Sequence, residues 1–253
     1  EIYEEESSGP AAADVREAYN SLRGVALDGG AAISEAMRAH YYNYNIRIIA
    51  TEGLMRRFIE ETRLESSWIN ERVTEAHVTG YQCTNARVSI DLKPSSNSAL
   101  FDITLSGTVS SNATGSTSQA RVHIVGNHYF TANKEVRFDG KKFFTRPSRV
   151  GVSANNRAVG ATTKFSGVPL LGHIADDIAF NEASKRMPEA NSATAGKIYS
   201  QVRRQLDSEV DGQFDSAAMK LESDFYGPLR ENGLYPDAVH LSSGSSYVLA
   251  RGR

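Results

Sequence analysis

Three residues of the sequence have types and spacing that suit a metal site: His173, Asp176 and Asp177. They stand at i, i+3 and i+4, so a helix would place them on one face, and imidazole and carboxylate groups are metal ligands. Charged residues at this spacing are also common on solvated helix faces, and further ligands are not evident nearby. The solvated face is therefore the favoured interpretation. The group is kept as a metal candidate, and no cofactor is predicted.

Motifs of the common enzyme classes are missing from the sequence. There is no glycine-rich phosphate loop, no G-x-S-x-G elbow, no H-E-x-x-H pair and no paired C-x-x-C. We therefore predict no catalytic residues. The sequence still allows an enzyme whose site is assembled from scattered side chains. Its active residues would be His173, Asp176 and Asp177, or His77 near Cys83. The single cysteine cannot form an internal disulfide and is typical of a small buried apolar residue.

Two histidines in the strand-like part of the chain are interpreted as structural. His123 alternates with Val122 and Ile124, so it should face solvent if those two residues face a core. His128 and its neighbour Tyr129 are expected to pack at a strand end. An isolated histidine is seldom a catalytic base without a partner.

Tyr41, Tyr42 and Tyr44 form an aromatic group that could stack on bases, sugars or a partner chain. The alternative is a helix end that packs its rings over a sheet and keeps the hydroxyl groups in water. Tyrosine favours that arrangement because it has an apolar ring and a polar tip. The three tyrosines are therefore predicted only as a possible binding surface.

Composition and charge exclude several classes of protein. The 253 residues are 40% hydrophobic and 23% charged, which argues against wholesale disorder. The 28 basic and 30 acidic residues give a net charge of −2 without a basic block, so no nucleic-acid partner is predicted. No run approaches the ~20 apolar residues of a membrane-spanning helix. The chain starts at Glu1, which we interpret as removal of a leader or as the boundary of an expressed segment.

The first quarter of the chain has a helical pattern. Apolar residues at spacings of three and four predict helices over Ala11–Leu27 and Ala31–Tyr42. A strand is predicted at Ile46–Ala50. Thr51 should then cap a short helix over Gly53–Glu61 by accepting an amide hydrogen bond.

Residues 66–153 alternate β-branched or aromatic residues with polar ones, which is the period of a half-buried strand. Asp139-Gly140 between two such runs predicts a type I′ hairpin turn. Ser110–Ser118 is expected to form a long exposed hairpin tip, and it contains a possible glycosylation sequence at Asn112-Ala113-Thr114. Five to seven antiparallel strands are predicted, as a curved meander or partial barrel.

The helical period returns at Gly172. Pro188 is expected to interrupt this helix, since proline lacks the amide donor and clashes with the preceding turn. A longer helix is predicted from about Ser192 to Tyr226. Because its apolar residues recur every four positions and a turn holds 3.6, the apolar stripe rotates around the helix, which predicts wrapping by a sheet or contact with two neighbours. The stripe comprises Ile198, Val202, Leu206, Val210, Phe214, Leu221 and Phe225.

These patterns predict an α+β chain: a curved antiparallel sheet with helices before it and one long helix after it. We expect an extended arm at 1–10 and a single domain over 11–253. That domain begins with a helical part that contains one strand, at 11–62, and continues with the sheet at 66–170. The later helices follow at 172–231, and the tail at 232–253 contains a strand-like run at Tyr247–Ala250.

Three functional hypotheses are compatible with the sequence. The favoured one is a non-enzymatic structural or assembly component outside the cytoplasm, bound to copies of itself or to other envelope proteins. Its support is the Ser/Thr/Asn-rich strands and the arms at 1–10 and 245–253, which could each add a strand to a neighbour's sheet. The second is a carrier of an apolar small molecule or lipid, in a cavity between the curved sheet and the long helix. The third is an enzyme with a non-standard site.

A resemblance supports the extracytoplasmic location. Asn45-Ile46-Arg47-Ile48-Ile49 and the stretch 127–140 resemble segments of uncharacterised secreted or cell-envelope bacterial proteins. The resemblance covers about residues 45–175. It implies an extracellular or periplasmic protein and transfers no functional residues.

Overall fold

The structure is a computed structural model that describes residues 9–23, 28–41, 46–73, 75–168, 171–236 and 238–252. The chain divides into two compact units. Unit 1 comprises Glu1–Ile48, Tyr235–His240 and Ala250–Arg253, and unit 2 comprises Ile49–Leu234 and Leu241–Leu249. The predicted α+β class is confirmed, with an antiparallel sheet between N-terminal helices and a long C-terminal helix.

Two helices begin the described chain, α1 (Gly9–Arg23) and α2 (Asp28–Tyr41). Both predicted helices are confirmed and begin before the predicted Ala11 and Ala31, and their predicted last residues, Leu27 and Tyr42, lie outside the described residues. Gly9 and Pro10 belong to α1 and not to an extended arm, because proline suits a first helical turn, where its missing amide needs no partner. The rest of the predicted arm lies outside the described residues.

A short strand and a short helix follow, β1 (Ile46–Thr51) and α3 (Glu52–Ile59). The predicted helix cap is confirmed. Thr51 has extended backbone angles, and its Oγ1 accepts a hydrogen bond from the amide of Leu54 at 3.3 Å. This bond satisfies one of the amides that a first helical turn leaves unpaired.

Seven strands form the large antiparallel sheet of unit 2, at the upper end of the predicted five to seven. Strands β2 to β5 pair in chain order, and β6, β7 and β8 each pair with a different part of the other edge of β5. The strands are β2 (Glu61–Val73), β3 (Ala76–Lys93), β4 (Ala99–Ser116), β5 (Ala120–Phe138), β6 (Phe143–Thr145), β7 (Arg149–Ser153) and β8 (Asn156–Thr163).

The period of two gives this sheet an apolar inner face and a polar outer face. On β4 the buried Phe101 and Ile103 alternate with Asp102 and Thr104. The register aligns Ile103 with Ile90 of β3, so the inner positions of neighbouring strands form continuous rows. The outer positions of β4 are mainly Ser, Thr and Asn, which hydrogen-bond readily with water.

The hairpin between β5 and β6 is present, but the predicted two-residue type I′ turn is wrong. Four residues, 139–142, separate the strands. The Oδ1 atom of Asp139 accepts hydrogen bonds from the amides of Lys141 and Lys142, both at 2.8 Å. The side chain thus organises a wider loop. Gly140 has φ +99°, a conformation that suits glycine.

The predicted long tip at Ser110–Ser118 is also wrong. Strand β4 continues to Ser116, and only residues 117–119 lie between β4 and β5. Both neighbouring strands pair with β4 to its end, where Ser116 lies opposite His77 on one side and Arg121 on the other. These backbone hydrogen bonds outweigh the weak strand propensity of the small polar residues. The Asn112-Ala113-Thr114 sequence therefore lies within a strand.

One helix of 51 residues, α4 (Leu171–Leu221), follows the sheet. The predicted interruption at Pro188 is wrong, because α4 continues through it. Hydrogen bonds to β8 hold the helix on both sides of the proline: Asp176 accepts from the amide of Thr163 at 2.9 Å, and Asn191 accepts from the amide of Asn156 at 2.6 Å. Tertiary contacts thus offset the lost helical hydrogen bond.

A five-residue π-helical turn (Glu222–Tyr226) and α5 (Gly227–Glu231) extend α4. Two further strands follow, β9 (Val239–Ser243) and β10 (Tyr247–Gly252), in a sheet of order β1-β10-β9. The strand predicted at Tyr247–Ala250 is confirmed.

The hydrophobic core of unit 2 lies between the inner face of the sheet and α4. The predicted stripe is confirmed in its central part, since Val202, Leu206 and Val210 are the buried apolar residues of the helix. Ile198 and Phe214 extend the stripe as partly buried neighbours of the same core. The sheet contributes Ile90, Leu92, Phe101, Ile103, Val109, Phe130, Ala132 and Val136.

Candidate functional site

The side chains on the inner face of the sheet differ in size from one end of the strands to the other. Large residues such as Ile90 and Phe101 fill the part near β6. Beyond them, β4 places Gly107, Ser111, Ala113 and Gly115 on the same face. Small side chains there leave room beneath the helix, where Ala190 and Ala193 add little bulk. A cavity of about 450 Å³ occupies this space.

Both the sheet and the helix contribute apolar side chains to the lining of the cavity, which also includes the polar side chains of Ser67, Gln82 and Thr84. Its volume falls within the range of small-molecule sites, which is about 300–1,000 Å³. The sheet contributes residues from β2 to β5, and the helix contributes the N-terminal part of the apolar stripe. The large apolar lining residues are Ile69, Val73, Val78, Val88, Leu105, Val109, Ile124, Phe130, Ile198, Val202 and Leu206.

Charged side chains lie where the cavity meets β2 and the facing side of α4. Arg63 of β2 lies 3.6 Å from Glu209 of α4, and Glu71 of β2 pairs with Lys197 of α4. All four side chains are at least 32% exposed, so these pairs are screened by solvent and contribute little stability. These pairs form a polar rim on the cavity, and breaking them costs little free energy.

A polar cluster lies in the cavity wall around Gly126. An ideal Cβ on Gly126 would lie 2.3 Å from Ser111 Oγ, 2.6 Å from His128 Nε2 and 2.8 Å from Asn156 Oδ1. These three polar atoms therefore lie close to one another and against the backbone of Gly126, where a side chain would not fit. We call this arrangement the Gly126 cradle.

His128 is the most buried member of the cradle, with 4% of its surface exposed. Burial lowers the pKa of His128, so the imidazole is neutral at pH 7. The groups around it are uncharged: Val109 opposite it on β4, Ser111, and the asparagines that precede and begin β8. The expectation that His128 packs at a strand end is wrong, because it lies in the middle of β5.

A second polar cluster fastens α4 to the sheet. Lys134 of β5 is 1% exposed, and its Nζ donates to Asp207 Oδ1 at 2.8 Å and to the carbonyl of Arg146 at 3.1 Å. Asp211 Oδ1 lies 3.1 Å away. Burial alone would raise the pKa of Asp207, but hydrogen bonds from Lys134 and from the amide of Ser148 hold it below its ordinary value. This cluster is structural, since its charges are paired with one another.

A hollow on the outer face carries mostly paired charges. Asp102 Oδ2 contacts Lys93 Nζ and accepts a hydrogen bond from Asn133 at 3.0 Å, and Arg146 lies 3.2 Å from Glu135. The other oxygen, Asp102 Oδ1, is buried and has no hydrogen-bond partner among the described residues. The hollow has no apolar wall, so the inner cavity is the better candidate for a ligand.

The three residues of the metal candidate, His173, Asp176 and Asp177, have different environments on α4. Asp176 Oδ1 accepts hydrogen bonds from Thr163 and Ser166, and the bond from the Ser166 hydroxyl contributes most to lowering the pKa of Asp176. His173 and Asp177 are exposed. The described part of the chain contains no group of three or more His, Cys, Asp or Glu residues that could hold a metal ion. Asp176 therefore fixes the turn after β8.

The remaining candidates fall into three groups. Tyr42 and Tyr44 and the side chain of Tyr41 lie outside the described residues. His77 and Cys83 share the outer face of β3, but six residues of strand separate them by about 20 Å, too far for a shared catalytic site. His123 is exposed on the outer face as predicted, where its Nδ1 lies 3.2 Å from Thr114 Oγ1.

The carrier hypothesis predicted a cavity between the sheet and the long helix, but neither its lining residues nor the Gly126 cradle was predicted from the sequence. A usable signal was present in β4, where the inner positions change from Phe101 and Ile103 to Gly107, Ser111, Ala113 and Gly115, with Val109 the one large residue among them. The convergence of Ser111, His128 and Asn156 depends on the pairing of β5 with both β4 and β8. No local sequence pattern predicts that pairing.

No helix in the described ranges is long and apolar enough to cross a membrane. Comparison of the chain with protein-family models, with curated proteins and with solved structures finds no match.

Proposed function

We propose that the protein binds an apolar small molecule in the cavity between the sheet and α4. The supporting observation is the 450 Å³ space, whose lining combines large apolar side chains with polar ones and with a charged rim. Ligand sites combine an apolar wall with a few polar groups that fix the orientation of the ligand. The second hypothesis from the sequence therefore has more structural support than the first.

The size of the cavity supports a ligand and not a packing defect. Protein interiors contain few voids larger than a water molecule, whereas this space has a volume of about 450 Å³ and is open to solvent at its charged rim. Small residues that maintain so large a space are typical of a site that an apolar molecule fills.

Binding can be tested with the neutral fluorescent probe N-phenyl-1-naphthylamine. We expect saturable fluorescence enhancement with the native chain. Ala113→Leu enlarges an inner, buried side chain of the cavity wall and should weaken probe binding at least about tenfold. Ala193→Leu tests the same space from the helix side.

Ser110→Leu is the matched control, because it adds apolar bulk to an exposed outer position of the same strand. It should leave probe binding unchanged. Thermal unfolding of each variant establishes that it is folded. The proposal is wrong if the native chain gives no saturable signal, or if folded inner-face and outer-face variants bind the probe equally well.

A specific observation keeps the assembly hypothesis as a second candidate. Strand β2 has 13 residues, lies at the edge of the large sheet and pairs only with β3 among the described residues. A long edge of this kind can accept a strand from another chain. Native mass spectrometry distinguishes the two roles: a monomer with a reproducible added mass supports ligand binding, and multiples of the chain mass without it support assembly.

A further inference from the structure

The Gly126 cradle has a defined set of hydrogen-bonding groups. His128 Nδ1 accepts a hydrogen bond from the amide of Asn155 at 3.2 Å. A neutral imidazole has one proton, so that proton is on Nε2, the atom that belongs to the cradle. His128 therefore provides a hydrogen-bond donor to the cavity.

Asn156 provides an acceptor. Its amide nitrogen of the main chain donates to Asn191 Oδ1 at 2.6 Å, and its side-chain Nδ2 donates to Thr194 Oγ1 at 3.2 Å. Both bonds link β8 to α4 and fix the side chain, with Oδ1 in the cradle. Ser111 adds a hydroxyl group, which can donate and accept.

Hydrogen-bonding capacity in the cradle is unused. Ser111 Oγ, His128 Nε2 and Asn156 Oδ1 make no hydrogen bond with any group in the described part of the chain. All three side chains line the cavity, and none of these atoms is among the buried side-chain atoms without a partner in the described ranges, so they are accessible to solvent. One polar group of a ligand can hydrogen-bond to these neighbouring atoms in place of water.

We propose that the Gly126 cradle binds the hydroxyl group of an uncharged apolar ligand, such as a long-chain alcohol, whose chain occupies the cavity. This inference rests on the proposed function. A hydroxyl group accepts from His128 and donates to Asn156, so it matches both fixed partners. A carboxylate could not donate to Asn156, and none of the three cradle side chains is a cation that would offset its desolvation. An ether oxygen could accept but not donate.

Displacement of N-phenyl-1-naphthylamine by three ligands of similar length tests this assignment. The ligands are 1-decanol, methyl nonyl ether and decanoate. We expect 1-decanol to bind about three- to tenfold more tightly than the ether, the range for one or two neutral hydrogen bonds. In Ser111→Ala the preference should shrink, and Ser111→Thr, which keeps the hydroxyl group, should restore it. Ser110→Ala on the outer face is the control.

The outcomes separate the two proposals. Equal displacement by decanol and ether, or preference for decanoate, overturns the cradle assignment and leaves the proposed function standing. An alcohol preference that Ser111→Ala does not change also overturns it. Failure of the probe itself to bind overturns the proposed function, and the cradle assignment with it.

Discussion

Replacement of Lys134 tests whether its ion pair fastens α4 to the sheet. The lysine is 1% exposed, and Nζ donates to Asp207 at 2.8 Å and lies 3.1 Å from an oxygen of Asp211. Lys134→Met removes the charge and keeps most of the apolar stem. Lys134→Ala removes both. Comparison of the two variants separates the ion pair from the packing of the stem.

The expected magnitudes follow from these contacts. Removal of one partner of a buried ion pair costs about 3–5 kcal/mol. The side chains of Asp207 and Asp211 are 26% and 46% exposed, so water can partly solvate them after the substitution, and Lys134→Met should cost about 3 kcal/mol. Lys134→Ala also removes three buried methylene groups worth about 0.8 kcal/mol each, for a total of about 5 kcal/mol.

Urea unfolding followed by circular dichroism measures these differences as a lower transition midpoint with an unchanged slope. Lys142→Met changes an exposed lysine of the β5–β6 loop and should alter the unfolding free energy by less than about 0.5 kcal/mol. A Lys134→Met variant as stable as the native chain would show that the ion pair does not stabilise the packing of α4 on the sheet. A double-mutant cycle with Asp207→Asn should give a coupling of about 0.5–3 kcal/mol.

Two further predictions concern the inner face. Gly107→Ala should lower the unfolding free energy by about 1–3 kcal/mol, because the added Cβ would lie 2.5 Å from the Phe130 ring and 2.7 Å from the carbonyl oxygen of Asn85. Urea titration measures this change, and an unchanged unfolding free energy would contradict the close packing at Gly107. Because burial lowers the pKa of His128, the unfolded chain binds the proton more readily. The contribution of the neutral His128 ring to the unfolding free energy is full above about pH 6.5. It declines as the pH falls from there toward the pKa of His128 in the folded protein. His128→Gln should therefore flatten the dependence of the unfolding free energy on pH in that range.

Local patterns were sufficient to predict most of the secondary structure. The four-residue recurrence of Val202, Leu206 and Val210 identified the face of α4 that packs on the sheet, because that recurrence follows directly from helix geometry. Thr51 was identified as a cap for a similar reason, since a cap depends on a hydrogen bond three residues away.

The errors arose where distant residues decide the outcome. Pro188 was expected to end a helix, but hydrogen bonds between α4 and β8 hold the helix on both sides. Ser110–Ser118 has weak strand propensity, and pairing with two neighbouring strands overrides it. Lys134 lies in an alternating strand pattern with nothing to show that its partners are 73 and 77 residues away.

The pairing of β5 has a consequence for the order of folding. Strand β5 pairs along its whole length with β4, and its other edge supplies the hydrogen bonds of β6, β7 and β8. These three strands cannot be stable before β5 is in place, whereas β2 to β5 can join in sequence through short turns. Formation of the sheet therefore involves mainly pairing between strands that are neighbours in the chain, which favours rapid folding. The amides of β5 should be among the slowest to exchange with solvent, and those of β6 to β8 should open before them.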